Sequence, residues 1–88
     1  MWKIHINKRT QKEIKKLPQN IVELLETLLA DLKQRGPVRG EWLNYSKLTN
    51  GYHHCHLSYR YVAVWIVEDK ELKLIGVTYV GSRENAPY

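Results

Sequence analysis

Seven consecutive residues, Tyr61-Val62-Ala63-Val64-Trp65-Ile66-Val67, are apolar on both alternating faces of an extended chain. A strand without a polar face belongs in the middle of a sheet, with helices on one side and partial cover on the other. Runs at 52–57 and 72–80 are also rich in β-branched and aromatic residues, and they complete a set of three strands around this one. The breaks at Ser58-Tyr59 and at Glu68-Asp69-Lys70-Glu71 are too short for a crossover, so the three strands are antiparallel hairpins.

The cover comes from upstream. Ile21, Leu24, Leu25, Leu28, Leu29 and Leu32 recur at spacings of three and four, and Gly36-Pro37 stops the resulting helix. This stripe is too short for a zipper of several heptads, so it is core. Before it, Trp2, Ile4 and Ile6 alternate with Lys3 and His5, the period of a half-buried strand ending at Asn7. Asn7 is placed to cap a short basic helix over 8–17, whose Ile14 and Leu17 face inward and which Pro18 breaks. Between Pro37 and Gly51 the sequence reads as loop, with one short strand expected around Trp42 to Tyr45. The order strand, helix, helix, strands predicts an α+β fold: an N-terminal strand, then a helical hairpin packed on one face of a mainly antiparallel twisted sheet. Its other face is left concave.

Eighty-eight residues suit one domain spanning 1–88, and 43% hydrophobic with 26% charged residues excludes a disordered polyelectrolyte. No apolar run approaches the ~18 residues that cross a bilayer, and Met1-Trp2-Lys3-Ile4-His5 lacks the layout of a secretion signal. A cytoplasmic protein with no membrane partner is the expectation. Cys55 is the only cysteine, which excludes an intramolecular disulfide and a multi-cysteine zinc cage. The net charge of +5 comes from two stretches, residues 1–17 and 33–60, with only acids between 18 and 32. Such a surplus suits a polyanion.

Three of the four histidines fall in Tyr52-His53-His54-Cys55-His56-Leu57. Strand alternation puts Tyr52, His54 and His56 on one face, and His53, Cys55 and Leu57 on the other. Two imidazoles at i and i+2 can share a metal, but nothing nearby supplies a third ligand, so no metal or other cofactor is expected. Imidazoles near pH ~6.5 can instead move protons at neutral pH. Arg60 opens the central strand next to that face and could clamp a phosphate, or pair with Glu68 or Glu84. The tail Gly81-Ser82-Arg83-Glu84-Asn85-Ala86-Pro87-Tyr88 sets a cation beside an aromatic that can stack on a base or supply a phenolic proton.

In this arrangement the chain resembles the RelE/ParE superfamily of bacterial and archaeal type II toxin-antitoxin toxins, on the side of its RelE, YafQ and HigB-like members. The likeness covers nearly the whole chain. It rests on Lys47-Leu48-Thr49-Asn50-Gly51-Tyr52 leading into the first long hairpin, on His56-Leu57-Ser58-Tyr59-Arg60 before a hydrophobic strand, and on Gly81-Ser82-Arg83 with the closing Tyr88. The resemblance implies a ribosome-dependent, metal-free messenger RNA endoribonuclease that inhibits translation. Its implied partners are the ribosome, mRNA and a small cognate antitoxin, in a toxin-antitoxin hetero-oligomer.

Residue by residue, Arg60, Arg83 and Tyr88 match the family's strand arginine, C-terminal basic residue and closing aromatic. His56 is similar to the strand histidine of the YafQ branch. That branch has a C-terminal catalytic histidine where Ser82 and Arg83 stand here, and an aspartate where Arg60 stands, so the implied set is a hybrid. The expected catalytic residues are His54, His56, Arg60, Arg83 and Tyr88, with Arg39 and Lys47 on the RNA backbone. Two other readings compete. One is the ParE-like branch, which poisons DNA gyrase by binding; the other is a non-catalytic RNA- or protein-binding module, a degenerate toxin.

Overall fold

The computed structural model describes residues 1–88. In chain order the elements are β1 (Lys3–Ile6), α1 (Lys8–Ile14), α2 (Gln19–Arg35), β2 (Ser46–Lys47), β3 (Tyr52–His56), β4 (Tyr61–Asp69) and β5 (Leu74–Ser82), with 3-10 turns at Thr49–Gly51 and Arg83–Asn85. They form one five-stranded sheet in the order β1-β5-β4-β3-β2. The doubly apolar β4 therefore lies in the middle, as its composition demands. All pairings are antiparallel except the edge pair, where β1 runs parallel to β5 with Lys3 opposite Leu74.

Helix α2 turns Ile21, Leu25, Leu28 and Leu32 onto one face of the sheet, where each is buried, while Leu24 stays partly exposed at the edge of the stripe. They meet Cys55, Leu57, Ala63, Trp65, Ile75, Val77 and Val80. Each fully buried side chain of this size stabilises the fold by about 1.5–3 kcal/mol relative to exposure. Trp65 is wholly buried, and its indole N–H donates to the Pro37 carbonyl at 2.9 Å, so the largest core residue leaves no polar atom unpaired.

Helix α1 starts as expected, with the Asn7 side chain accepting the Thr10 N–H at 2.8 Å. It ends at Ile14, one turn earlier than expected. Lys16 and Leu17 donate instead to Glu13 and Ile14, three residues back. This is the tightening expected where a following proline disfavours helical backbone at Leu17.

The strand expected around Trp42 to Tyr45 is a series of turns, and the short strand begins after it at Ser46–Lys47. Trp42 and Tyr45 both pack against the core. Residues three apart on a strand face opposite ways, so an extended backbone could not have served both. Trp42 is held by its indole N–H donating to Asp31 of α2 at 2.8 Å.

A β-bulge in β5 sets the geometry of the far side of the sheet. Val64 pairs with Tyr79 and Trp65 with Val77, which leaves Thr78 as the extra residue. Val77 and Val80 can thus both enter the core although three apart, and Tyr79 and Gly81 are turned to the open face. The buried Thr10 of α1 fixes the bulge, its hydroxyl donating to the Thr78 carbonyl at 3.2 Å.

Candidate functional site

Strand β3 delivers its histidines to two different environments. On the helix-covered side, His53 has its Nδ1 2.7 Å from the Tyr45 hydroxyl and its ring stacked on Trp65, centroids 5.9 Å apart and planes within 4°. Burial, helped by the nearby Lys47 charge, holds its pKa below the usual histidine value. Cys55 on the same side is fully buried, and its thiol is pushed up to about 12, so it is inert as a nucleophile.

The open side gathers His54, His56 and Tyr88. The His54 ring lies 5.9 Å from His56 and 4.6 Å from the Tyr88 ring. Its Nδ1 is 2.9 Å from the Ser46 hydroxyl on β2, which leaves Nε2 as the nitrogen free to exchange a proton. The His56 backbone N–H donates to the Leu43 carbonyl at 2.8 Å, while its own Nδ1 is buried without a hydrogen-bond partner. An unpaired buried ring nitrogen is costly and asks for a ligand or a role. Below the rings, Val62 and Val64 of β4 form a dry floor, since His56 is opposite Val62 and His54 opposite Val64. Gly81 is opposite Val62 on the other flank, and a Cβ there would lie only 2.8 Å from the Tyr79 hydroxyl. That hydroxyl donates to the Ser82 carbonyl at 2.7 Å, where β5 gives way to the tail.

Electrostatics follow from this packing. Burial lowers the His54 pKa, opposed by the Ser46 backbone and reinforced by the neighbouring His56. The ring is therefore neutral at pH 7 and able to accept a proton. Burial raises the Tyr88 phenol, Tyr79 adds to it, and the positive charge of Arg83 pulls the other way. Tyr88 keeps its proton at neutral pH.

Arg60 and Arg83 form a second group at the tip of the β3–β4 hairpin. The Arg83 N–H donates to the Arg60 carbonyl at 2.7 Å, so the end of β5 is stitched to the turn. The Arg83 guanidinium lies over the Tyr59 ring, 4.7 Å from its centroid. Both arginines are exposed and neither enters an ion pair. Of the carboxylates that could have neutralised Arg60, Glu68 instead faces His5 at 3.2 Å. Arg60 and Arg83 each stand two residues beyond the Val62–Gly81 pair. Both lie just outside the strands, Arg60 in the turn before β4 and Arg83 in the 3-10 turn after β5, and the charge of Arg83 is close enough to Tyr88 to act on its phenol.

Lys47 lies exposed on β2, opposite His53, and enters no ion pair. Arg39 is placed quite differently. It is buried, donating to Glu41 at 2.9 Å and to the Arg35 carbonyl at 3.4 Å, with Arg35 closing on the same Glu41 oxygen at 2.8 Å. Its expected position on an RNA backbone is corrected: the guanidinium is a brace for the loop after α2, because Glu41 two residues on takes its charge. Ser46, Tyr59 and Tyr79, by contrast, touch the site without having been singled out. Ser46 was hidden because its pairing with His54 depends on a register that two strand residues do not announce. No group of three or more His, Cys, Asp or Glu side chains is placed to hold a metal, and no helix is long and apolar enough to cross a membrane.

No protein-family model matches the sequence, and no curated protein matches it. Solved structures do match over almost the whole length. The RelE of an archaeal RelE-RelB complex from Pyrococcus horikoshii is similar at a TM-score of 0.74 with 17% identity, covering 97% of this chain and 98% of that one. The isolated E. coli RelE toxin gives 0.75 with 22% identity, covering 99% of this chain and 89% of that one. A chain of the YoeB-YefM complex from Staphylococcus aureus gives 0.71 with 17% identity, covering 91% and 94%. With its sheet order, its helical hairpin and its open face, the chain has the fold of the RelE-like toxins.

Proposed function

We propose that this chain is the toxin of a type II toxin-antitoxin pair, acting as an endoribonuclease on messenger RNA held by the ribosome. The observation that carries the reading is the grouping of His54, His56 and Tyr88 on the open face, with Arg83 near enough to act on Tyr88 and Arg60 joined to Arg83 through the backbone, neither in an ion pair. The fold shared with RelE and YoeB supports it, and the RelE-RelB and YoeB-YefM complexes support a small antitoxin as partner.

Cleavage of RNA without a metal needs three things: a base for the ribose 2′-hydroxyl, positive charge on the pentacoordinate phosphate, and an acid for the leaving oxygen. One imidazole of the His54/His56 pair takes the 2′ proton as O2′ bonds to phosphorus. Arg60 and Arg83 hold the charge that develops on the phosphoryl oxygens. The P–O5′ bond breaks, and the second imidazole or the Tyr88 phenol protonates the departing oxygen, giving a 2′,3′-cyclic phosphate and a 5′-hydroxyl. Lys47, paired with His53 and so on the other side of β2 from this group, is left out of the site.

The test is primer extension on mRNA in programmed ribosomes, with wild type and with His54, His56 and Arg83 each changed to Ala. Cuts lost in the variants support the reading. A triple variant that still arrests growth sinks it, and gyrase poisoning would then be assayed directly by supercoiling.

A further inference from the structure

Beside the catalytic group the open face carries a cavity of about 430 Å³. Its walls include Tyr52 and Tyr88, its floor Val64, and its polar groups Thr49, Asn50 and Thr78. Tyr88 belongs to both places, since the same ring that lines this cavity lies 4.6 Å from His54. Tyr52 precedes His54 by two residues on the same face of β3, a step of roughly 7 Å. A nucleotide whose phosphate lies at His54 can thus reach the cavity with its base.

The chemistry of the walls is that of a base-reading pocket. Two aromatic rings and a valine offer stacking surfaces, which tolerate any base. Selectivity needs hydrogen-bonding groups not already engaged, and Asn50 supplies one. It sits at the centre of the Thr49–Gly51 turn with φ +66°, a left-handed backbone that asparagine adopts more readily than most residues. Its carboxamide makes no hydrogen bond within the protein, and neither does the Thr49 hydroxyl. A primary amide presents one donor and one acceptor side by side, the pattern that pairs with the edge of a base. The fold therefore holds a free amide in an aromatic-lined cavity whose Tyr88 wall also lies against His54.

We propose that this cavity binds the base of a nucleotide flanking the scissile phosphate, and that Asn50 sets the sequence preference of cleavage. The proposal rests on the nuclease reading for its consequence, but its binding step can be tested without it. In the first experiment, the four nucleoside 3′-monophosphates are titrated into the 15N-labelled protein. Shifts at Asn50, Tyr52 and Tyr88, with one base binding more tightly than the others, are expected.

The second experiment maps cleavage sites on ribosome-bound mRNA for wild type and Asn50→Ala. A bidentate contact to a base gives roughly 5- to 100-fold discrimination, so the variant should cut previously disfavoured sites with that preference flattened. Asn50→Gly, which keeps the turn conformation accessible, controls for a misfolded turn and should show the same flattening. Mononucleotide shifts without any RNA cleavage would uphold the pocket and overturn the nuclease reading. Cleavage with an unchanged site profile in both variants, or mononucleotides that shift residues elsewhere and leave Asn50 and Tyr52 still, would overturn the pocket.

Discussion

The two faces of β3 hold histidines one residue apart that are buried to similar degrees, His53 at 4% exposure and His54 at 9%, and in both burial lowers the pKa. Their partners differ completely. His53 is locked between a tyrosine hydroxyl and a tryptophan ring, whereas His54 has one nitrogen braced and faces a second imidazole and a phenol. Burial and a shifted pKa therefore do not distinguish structure from chemistry here. What distinguishes them is whether the ring's remaining nitrogen is near other groups that can move protons or hold charge.

The comparison breaks most sharply in activity. His54→Ala and His56→Ala should each slow RNA cleavage by about 10²–10⁴-fold, the usual share of a positioned acid or base. His53→Ala should leave cleavage per folded molecule within a few-fold of wild type, measured beside circular-dichroism melts. Equal losses at 53 and 54 would erase the distinction.

Next in size is the core beneath His53. Trp65→Ala removes a wholly buried indole, its contact with His53 and its bond to Pro37, and should cost about 3–5 kcal/mol in urea unfolding. The two arginine environments sharpen the same contrast at a smaller scale. Arg39→Ala should lower stability by about 1–2 kcal/mol, chiefly through lost packing of its stem, with no change in the salt dependence of RNA binding. Arg60→Ala should do the reverse, leaving the melt unchanged and reducing the slope of log K against log salt by about one.

The smallest effect is that of pH. His53 and His54 have folded pKa values below 6.5, so the unfolded chain binds more protons as pH falls past that value. Stability is then fully present above pH 6.5 and is lost progressively down to the folded pKa values. His53→Ala and His54→Ala should each flatten part of this fall in thermal melts between pH 7.5 and 5. A wild-type melting temperature that rises on acidification through that range contradicts the assignment.

Much of the fold was legible because it rests on local periodicity. The double apolar character of β4 marked it as central, the leucine stripe marked α2, and alternation separated His54 and His56 from His53. What escaped depended on contacts distant in sequence or on single irregularities. Nothing local says that β1 pairs in parallel with β5, or that Thr78 is extra and turns Tyr79 to the open side. Trp42 and Tyr45 suggested a strand by composition, but their three-residue spacing suits turns that let both pack inward. In sequence Arg39 is indistinguishable from a free cation, because a charge reads the same whether or not Glu41 closes on it. The site's outline was legible where strand parity governs it, and illegible where the tail or β2 supplies a partner.

The pairing of Lys3 with Leu74 also has a temporal meaning. β1 must wait for β5 before the two can pair, and such long-range pairing is slow to form. A growing chain thus holds only an unfinished scaffold until β5 has been made. Arg83 and Tyr88 follow β5 in the chain, so the open face gains its full set of side chains only after every strand of the sheet exists.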